Sequence, residues 1–149
     1  NEPTATFSAC FGAAFMVWHP SRYAELLAEK IRQHGSNVWL INTGWSGGPY
    51  GVGSRFKLKY TRAIIDAIHD GSLVRQETVK DPIFGVAIPI ACEGVPSELL
   101  DPRKTWSDGA EFDKTAQKLA ALFHQNFKKF EDGTSQEIRN AGPVSGAAV

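Results

Sequence analysis

Apolar positions fall along this chain in three kinds of pattern. Periodic sets come first. Tyr23, Leu26, Leu27 and Ile31 recur at helical steps behind His19-Pro20-Ser21, where the missing proline N–H costs little in a first turn. Gly35 suits the position just past the end of that helix. Ile64, Ile65 and Ile68 predict a second helix from Thr61 to an Asp70-Gly71 stop, with Arg62 and Asp66 as an i,i+4 pair. The longest set is Phe112, Ala116, Leu119, Ala120, Phe123, Phe127 and Phe130, a core-facing stripe behind an Asp108 cap. Continuous runs are the second kind: Val38-Trp39-Leu40-Ile41 reads as a strand buried on both faces. Ile83–Ile90 reads as another strand, limited by Pro82 and Pro89 to an edge or a short central piece. Elsewhere no period holds. Glu93–Lys104 is predicted as loop with one turn at Ser97–Leu100, Glu137–Ala141 as a further turn, and the closing GPVSGAAV as a loose tail. Alternating strands and helices predict an α/β domain, a mixed sheet with flanking helices.

Between the Val38–Ile41 run and the second helix lies NTGWSGGPYGVGSRFKLKY. It holds Gly44, Gly47, Gly48, Gly51 and Gly53. Such density suits a backbone that bends sharply or lies close to a ligand. The exit is basic, with Arg55, Lys57, Lys59 and Arg62 around the helix start. Unpaired N–H groups beside fixed cations form a physically sensible seat for a phosphate or a nucleotide. A solvated turn is the competing reading of the same residues. The loop is not a Walker A motif: Gly48 to Ser54 has its spacing, but Ser54 stands where the lysine belongs, followed by Arg55.

Composition narrows the classes. The 149 residues suffice for one domain or part of one, and 42% hydrophobic residues with 11% aromatics suffice for a core. A formal net charge of zero argues against nucleic acid or a membrane surface as the main partner. No apolar run approaches the roughly 20 residues that span a bilayer. The two cysteines, Cys10 and Cys92, lack metal-ligand spacing and sit among small or apolar residues, which favours buried free thiols and a reducing cytoplasm. The chain opens on NEPTATFSACFG without a methionine and is expected to be a fragment.

Other candidate chemistry is weak. His19, His34, His69 and His124 are scattered and read as helix-end or solvated residues, with no HExxH pattern. Ser46 in GWSGG lacks the strand–turn–helix frame of a nucleophile elbow. Trp18, Trp39, Trp45 and Trp106 fit core or stapling roles better than a stacking set.

Several strings, taken together and in order, are more specific than any glycine motif. TFSACFGAAF (6–15), His19-Pro20 with Tyr23-Ala24-Glu25, NTGWSGG (42–48), GSRFKLKYTRAIIDAI (53–68), VPSELLDP (95–102) and Asn140-Ala141-Gly142-Pro143 resemble the carboxy-terminal part of the ATP-dependent phosphoenolpyruvate carboxykinases. The likeness covers essentially the whole chain. The resemblance implies the C-terminal portion of a nucleotide-binding domain over residues 1–149, with 1–6 ending a mobile lid loop and 142–149 a loose tail. It implies a lyase that converts oxaloacetate and ATP to phosphoenolpyruvate, CO2 and ADP in gluconeogenesis. The phosphate loop, the Mg or Mn ligands and the catalytic groups of that family all lie outside the part resembled here. Within it, a nucleotide-contacting arginine, the residue after it and a threonine six positions beyond the arginine match Arg55, Phe56 and Thr61. A guanidinium can stack on or hydrogen-bond a purine, Phe56 offers an apolar wall, and Thr61 a hydroxyl. Ser54 stands where many bacterial members carry lysine, Phe56 where an aliphatic residue is common, and Asn1 where the lid usually reads threonine. The implied partners are ATP, oxaloacetate and the upstream part of the same enzyme. The alternative is a stand-alone nucleotide-binding or interaction module without catalysis.

Overall fold

Local capping signals decide where the helices begin and end. In the structure, a computed structural model describing residues 6–8 and 12–144, helix α1 spans Pro20–His34. The His19 ring accepts from the Ser21 N–H at its N-terminus, and Gly35 adopts the left-handed conformation (φ 60°) past its end. Cys10, the Asn1–Thr4 segment likened to a lid and the last residues of the tail lie outside the described residues. A first hairpin pairs β1 (Trp45–Ser46) antiparallel with β2 (Ser54–Arg55), and α2 follows over Leu58–His69. A second hairpin pairs β3 (Thr78–Lys80) with β4 (Ala87–Pro89). A 3-10 turn at Ser97–Leu99 leads to the four-residue α3 (Pro102–Thr105), then α4 (Gly109–Phe127) and α5 (Gln136–Asn140). The α/β content is as expected. Among the described residues the strands form two two-stranded antiparallel sheets.

Capping accounts for the best-defined stretch. Asp108 accepts from the Ala110 N–H at 2.8 Å and the Glu111 N–H at 3.4 Å, satisfying donors that have no partner within α4. One helix further back, Asp101 accepts from the Arg103 N–H, and Pro102 occupies the first turn of α3. The two helices are then clamped: Arg103 donates from Nε and Nη2 to the two carboxylate oxygens of Asp113 at 2.8 and 2.9 Å.

Several expectations need correction. Val38–Ile41 is not a buried strand. The run has no sheet partner among the described residues, and Val38, Leu40 and Ile41 are 64%, 84% and 42% exposed. Trp39 alone turns inward, onto a cluster of Ala67, Leu73, Cys92 and Val95. The physical reason is plain: a two-face-buried strand needs neighbours on both edges and both faces. Helix α2 begins three residues before Thr61, so Thr61 lies on its first turn, not at its start. Arg62 and Asp66 form no ion pair; both are exposed, where such pairing gains little. The Ile83–Ile90 strand shrinks to Ala87–Pro89, because Asp81 accepts from the Ile83 and Phe84 N–H groups and closes a turn there. The α4 stripe is only half covered. Ala116 and Ala120 pack on Ile83 beside Phe84 and Phe112, while Leu119 and Phe123 stay exposed.

Among the described residues the result is two small cores and much open apolar surface. Ala120, at 1% exposure, is the deepest residue of either cluster. The accessible surface is 11462 Å², against roughly 7,500 Å² for a compact monomer of this mass. A 660 Å³ apolar hollow also opens between Phe15, Tyr23 and Leu27 on one side and Phe127, Phe130 and Ile138 on the other.

Two outcomes are expected. The amides of residues 38–41 will exchange with little protection in the 149-residue chain, as read by hydrogen-exchange mass spectrometry; strong protection there would contradict the exposed run. The Arg103 guanidinium holds the Asp113 carboxyl below its ordinary value of 3.8. A depressed folded-state pKa adds stability that is complete above the unfolded value and lost as pH falls through the folded one. Asp113→Asn is therefore expected to flatten the urea midpoint against pH below about 4 relative to the parent chain. An unchanged acid limb would show that the clamp is not linked to folding.

Candidate functional site

The glycine loop folds back as a tight hairpin. The Val52 and Gly53 N–H groups both donate to the Pro49 carbonyl, at 3.0 and 2.9 Å. At Gly53 a Cβ would stand 2.5 Å from the Gly48 carbonyl oxygen and 2.7 Å from that of Ser46, so only glycine lets the backbone close here. Trp45 pairs with Arg55 across the ladder, and the Phe56 N–H donates to the Gly44 carbonyl at 2.9 Å, extending the hairpin by one bond. Trp45 and Tyr50 meet edge to face at 5.5 Å and stiffen the outer side.

Helix α2 leaves this hairpin almost at once. Lys57 is its N-cap and brings no side-chain hydrogen bond to the first turn. Phe56 is half-buried and packs edge to face on Tyr60 at 5.9 Å, which fixes the angle between hairpin and helix. Lys59 Nζ lies 4.9 Å over the Tyr60 ring. Arg55, Lys57, Lys59 and Arg62 are all exposed, and among the described residues none of them is held in an ion pair. Four exposed cations around a helix N-terminus favour an anion there by elementary electrostatics.

The expected site residues come together only in part. Arg55 ends β2 with its side chain in solvent, and Phe56 follows it at the hairpin–helix junction. Thr61 is half-buried on the first turn of α2, where its own N–H donates to the Lys57 carbonyl at 3.4 Å. Thr105 carries no site signal in the sequence. Its Oγ1 accepts from the Gly47 N–H at 3.1 Å across 58 residues. The Asp101-Pro102 start of a short helix was the readable signal there; the long-range bond has no local signature.

The remaining chemistry is quiet. His19, His34 and His69 stand at helix ends, and His124, in the last turn of α4, bonds the Pro143 carbonyl through Nε2 at 2.7 Å. Cys92 is a buried free thiol; burial, with Asp70 and Glu93 nearby, pushes its pKa up and keeps it protonated. Among the described residues no group of three or more His, Cys, Asp or Glu side chains could hold a metal ion. The described residues therefore do not fit a divalent ion. Among the described residues no helix is long and apolar enough to cross a membrane.

The sequence itself is similar to that of known proteins. The family profile described as Phosphoenolpyruvate carboxykinase matches residues 1–98. The phosphoenolpyruvate carboxykinase (ATP) 2 of Salinibacter ruber is 55% identical over 148 residues, covering 99% of this chain and 28% of the relative. The phosphoenolpyruvate carboxykinase (ATP) of Dictyostelium discoideum is 56% identical over 144 residues, 97% of this chain and 26% of its own length. That of Thermus thermophilus is 53% identical over 143 residues, 96% and 27% respectively. The chain thus spans about a quarter of the length of the relatives it matches. With the profile matching well over half of its residues, the chain belongs to the phosphoenolpyruvate carboxykinase family.

Proposed function

We propose that this chain is the C-terminal portion of the nucleotide-binding domain of an ATP-dependent phosphoenolpyruvate carboxykinase. That enzyme converts oxaloacetate and ATP to phosphoenolpyruvate, CO2 and ADP, in the cytoplasm and in the service of gluconeogenesis. The observation that carries this reading is 55% identity along 99% of the chain to a relative bearing that name. In this reading Arg55, Phe56 and Thr61 form the adenine-side wall of the ATP site. The phosphate loop, the divalent metal and its ligands, and the groups that handle oxaloacetate belong to the rest of the longer protein.

The open surface supports the same reading. The accessible surface exceeds that of a compact monomer of this mass by roughly 4,000 Å². Val38, Leu40 and Ile41 on one side and the hollow between α1 and α4 on another are apolar surfaces that a stable monomer rarely leaves in water. A stand-alone binding module would have to carry that exposed area unaided. Completed by the remaining three quarters of a carboxykinase, the Val38–Ile41 run regains the neighbours its composition calls for.

The chemistry asked of this segment is modest. Phosphoryl transfer from a nucleotide depends mainly on positioning and charge stabilisation. A segment that seats the base and ribose contributes position, so it raises affinity for ATP without carrying a reacting atom. Exposed Arg55, held at the end of a paired strand, offers a planar donor fork, and half-buried Phe56 offers a ring edge against Tyr60.

Two measurements check this. In the longer protein, Arg55→Ala removes a charged hydrogen-bonding partner worth about 1.5–3 kcal/mol, so the KM for ATP is expected to rise roughly ten- to hundredfold. The KM for oxaloacetate should stay the same, and an unchanged KM for ATP would contradict the assignment. The 149-residue chain alone is expected to form no phosphoenolpyruvate from oxaloacetate and ATP; detectable turnover would overturn the division of labour.

A further inference from the structure

The bond between Thr105 and Gly47 joins two parts of the chain that the nucleotide reading does not otherwise connect. The Gly47 N–H can only donate, so Thr105 Oγ1 accepts it, at 3.1 Å. The hydroxyl proton is committed elsewhere: Oγ1 donates to the Pro102 carbonyl at 2.7 Å. Both roles of the hydroxyl are filled and its direction is fixed. The contact is half-buried on both sides, where a lost partner leaves an amide poorly solvated.

Each end of the bond rests on something rigid. On the helix side, α3 is held to α4 by the two-pronged Arg103–Asp113 pair. The Arg103 guanidinium lies so close over Gly109 that a Cβ there would come within 3.0 Å of Cζ. On the loop side, Gly47 has φ +82°, and a Cβ on it would stand 3.1 Å from the Thr105 carbonyl oxygen. Side chain and backbone of Thr105 therefore both bear on one glycine. From Gly47 the chain passes through the crowded turn at Gly53 directly into β2 and Arg55. Thr105 also lies beyond residues 1–98, the stretch matched by the family profile.

We propose that Thr105 is a positioning residue for the nucleotide: its hydroxyl anchors the Gly47 amide and so sets the hairpin that presents Arg55 and Phe56. This rests on the nucleotide reading of those two residues. Thr105 touches no reacting atom, so its loss weakens ATP binding and leaves the chemical step alone. Serine keeps the hydroxyl and preserves the function; valine keeps the shape and loses it.

The test uses the longer protein with steady-state kinetics and hydrogen exchange at the loop. Thr105→Val is expected to raise the KM for ATP three- to tenfold, with kcat within twofold and the KM for oxaloacetate unchanged. It should also speed exchange in a peptide containing Gly47 at least tenfold. Thr105→Ser should return both readings to within twofold of the parent. On an Arg55→Ala background, Thr105→Val should add less than twofold, because both changes act through one contact. An unchanged KM for ATP in Thr105→Val overturns the proposal, even if exchange at Gly47 quickens. So does a parallel fall in kcat and rise in both KM values, the mark of a merely structural role. If Arg55→Ala raises the KM for ATP and Thr105→Val does not, this proposal alone fails. If Arg55→Ala itself has no effect, the nucleotide reading fails and takes this proposal with it. Should Thr105→Val not fold, Gly47→Ala strains the same contact from the loop side, and an unchanged KM for ATP in that variant overturns the proposal equally.

Discussion

Four consecutive apolar residues, Val38-Trp39-Leu40-Ile41, set the terms for the whole chain. Their backbone and side chains call for neighbours on two edges and two faces. Among the described residues, the run is met only by the pocket that receives Trp39. Everything downstream hangs from that run: the glycine hairpin starts four residues later, and α2 returns to pack Ala67 against the same cluster.

The site itself is built from restraint on a backbone more than from reactive groups. Gly53 allows the hairpin to close, Phe56 on Tyr60 sets the helix angle, and Thr105 ties the loop to α3. Around that frame stand four exposed cations without ion-pair partners among the described residues. Such charges are screened within about 10 Å at ordinary salt, so they act on a ligand already in contact. That suits a wall that receives part of a nucleotide.

Local signals in the sequence were reliable where the cause was local. Pro20 and Gly35 bound α1, Asp108 starts α4, and Gly71 follows α2, each through a cap or a left-handed residue written into the chain. Thr61 misled because it has the chemistry of an N-cap, whereas the true cap, Lys57, brings no side-chain bond. The β3–β4 hairpin was half-seen: Pro82 and Pro89 marked the limits of one strand, but the Asp81 turn that pairs it with Thr78–Lys80 depends on a side-chain acceptor. Val38–Ile41 departs from its pattern for a different reason, since an apolar run reports what a segment needs and not whether the chain contains it. Arg55, Phe56 and Thr61 are named as site residues by resemblance to a family alone. The glycines and cations around them were legible from physics alone. Thr105 could not be read at all, because a bond across 58 residues leaves no pattern in either neighbourhood.

The central claim is that residues 44–61 face the base and ribose of ATP within a longer protein. Photoaffinity labelling of that protein with 8-azido-ATP, followed by peptide mapping, tests it most directly. The account predicts an ATP-competable adduct in the peptide that contains Phe56 and Tyr60. Label confined to peptides outside residues 44–61 would contradict it.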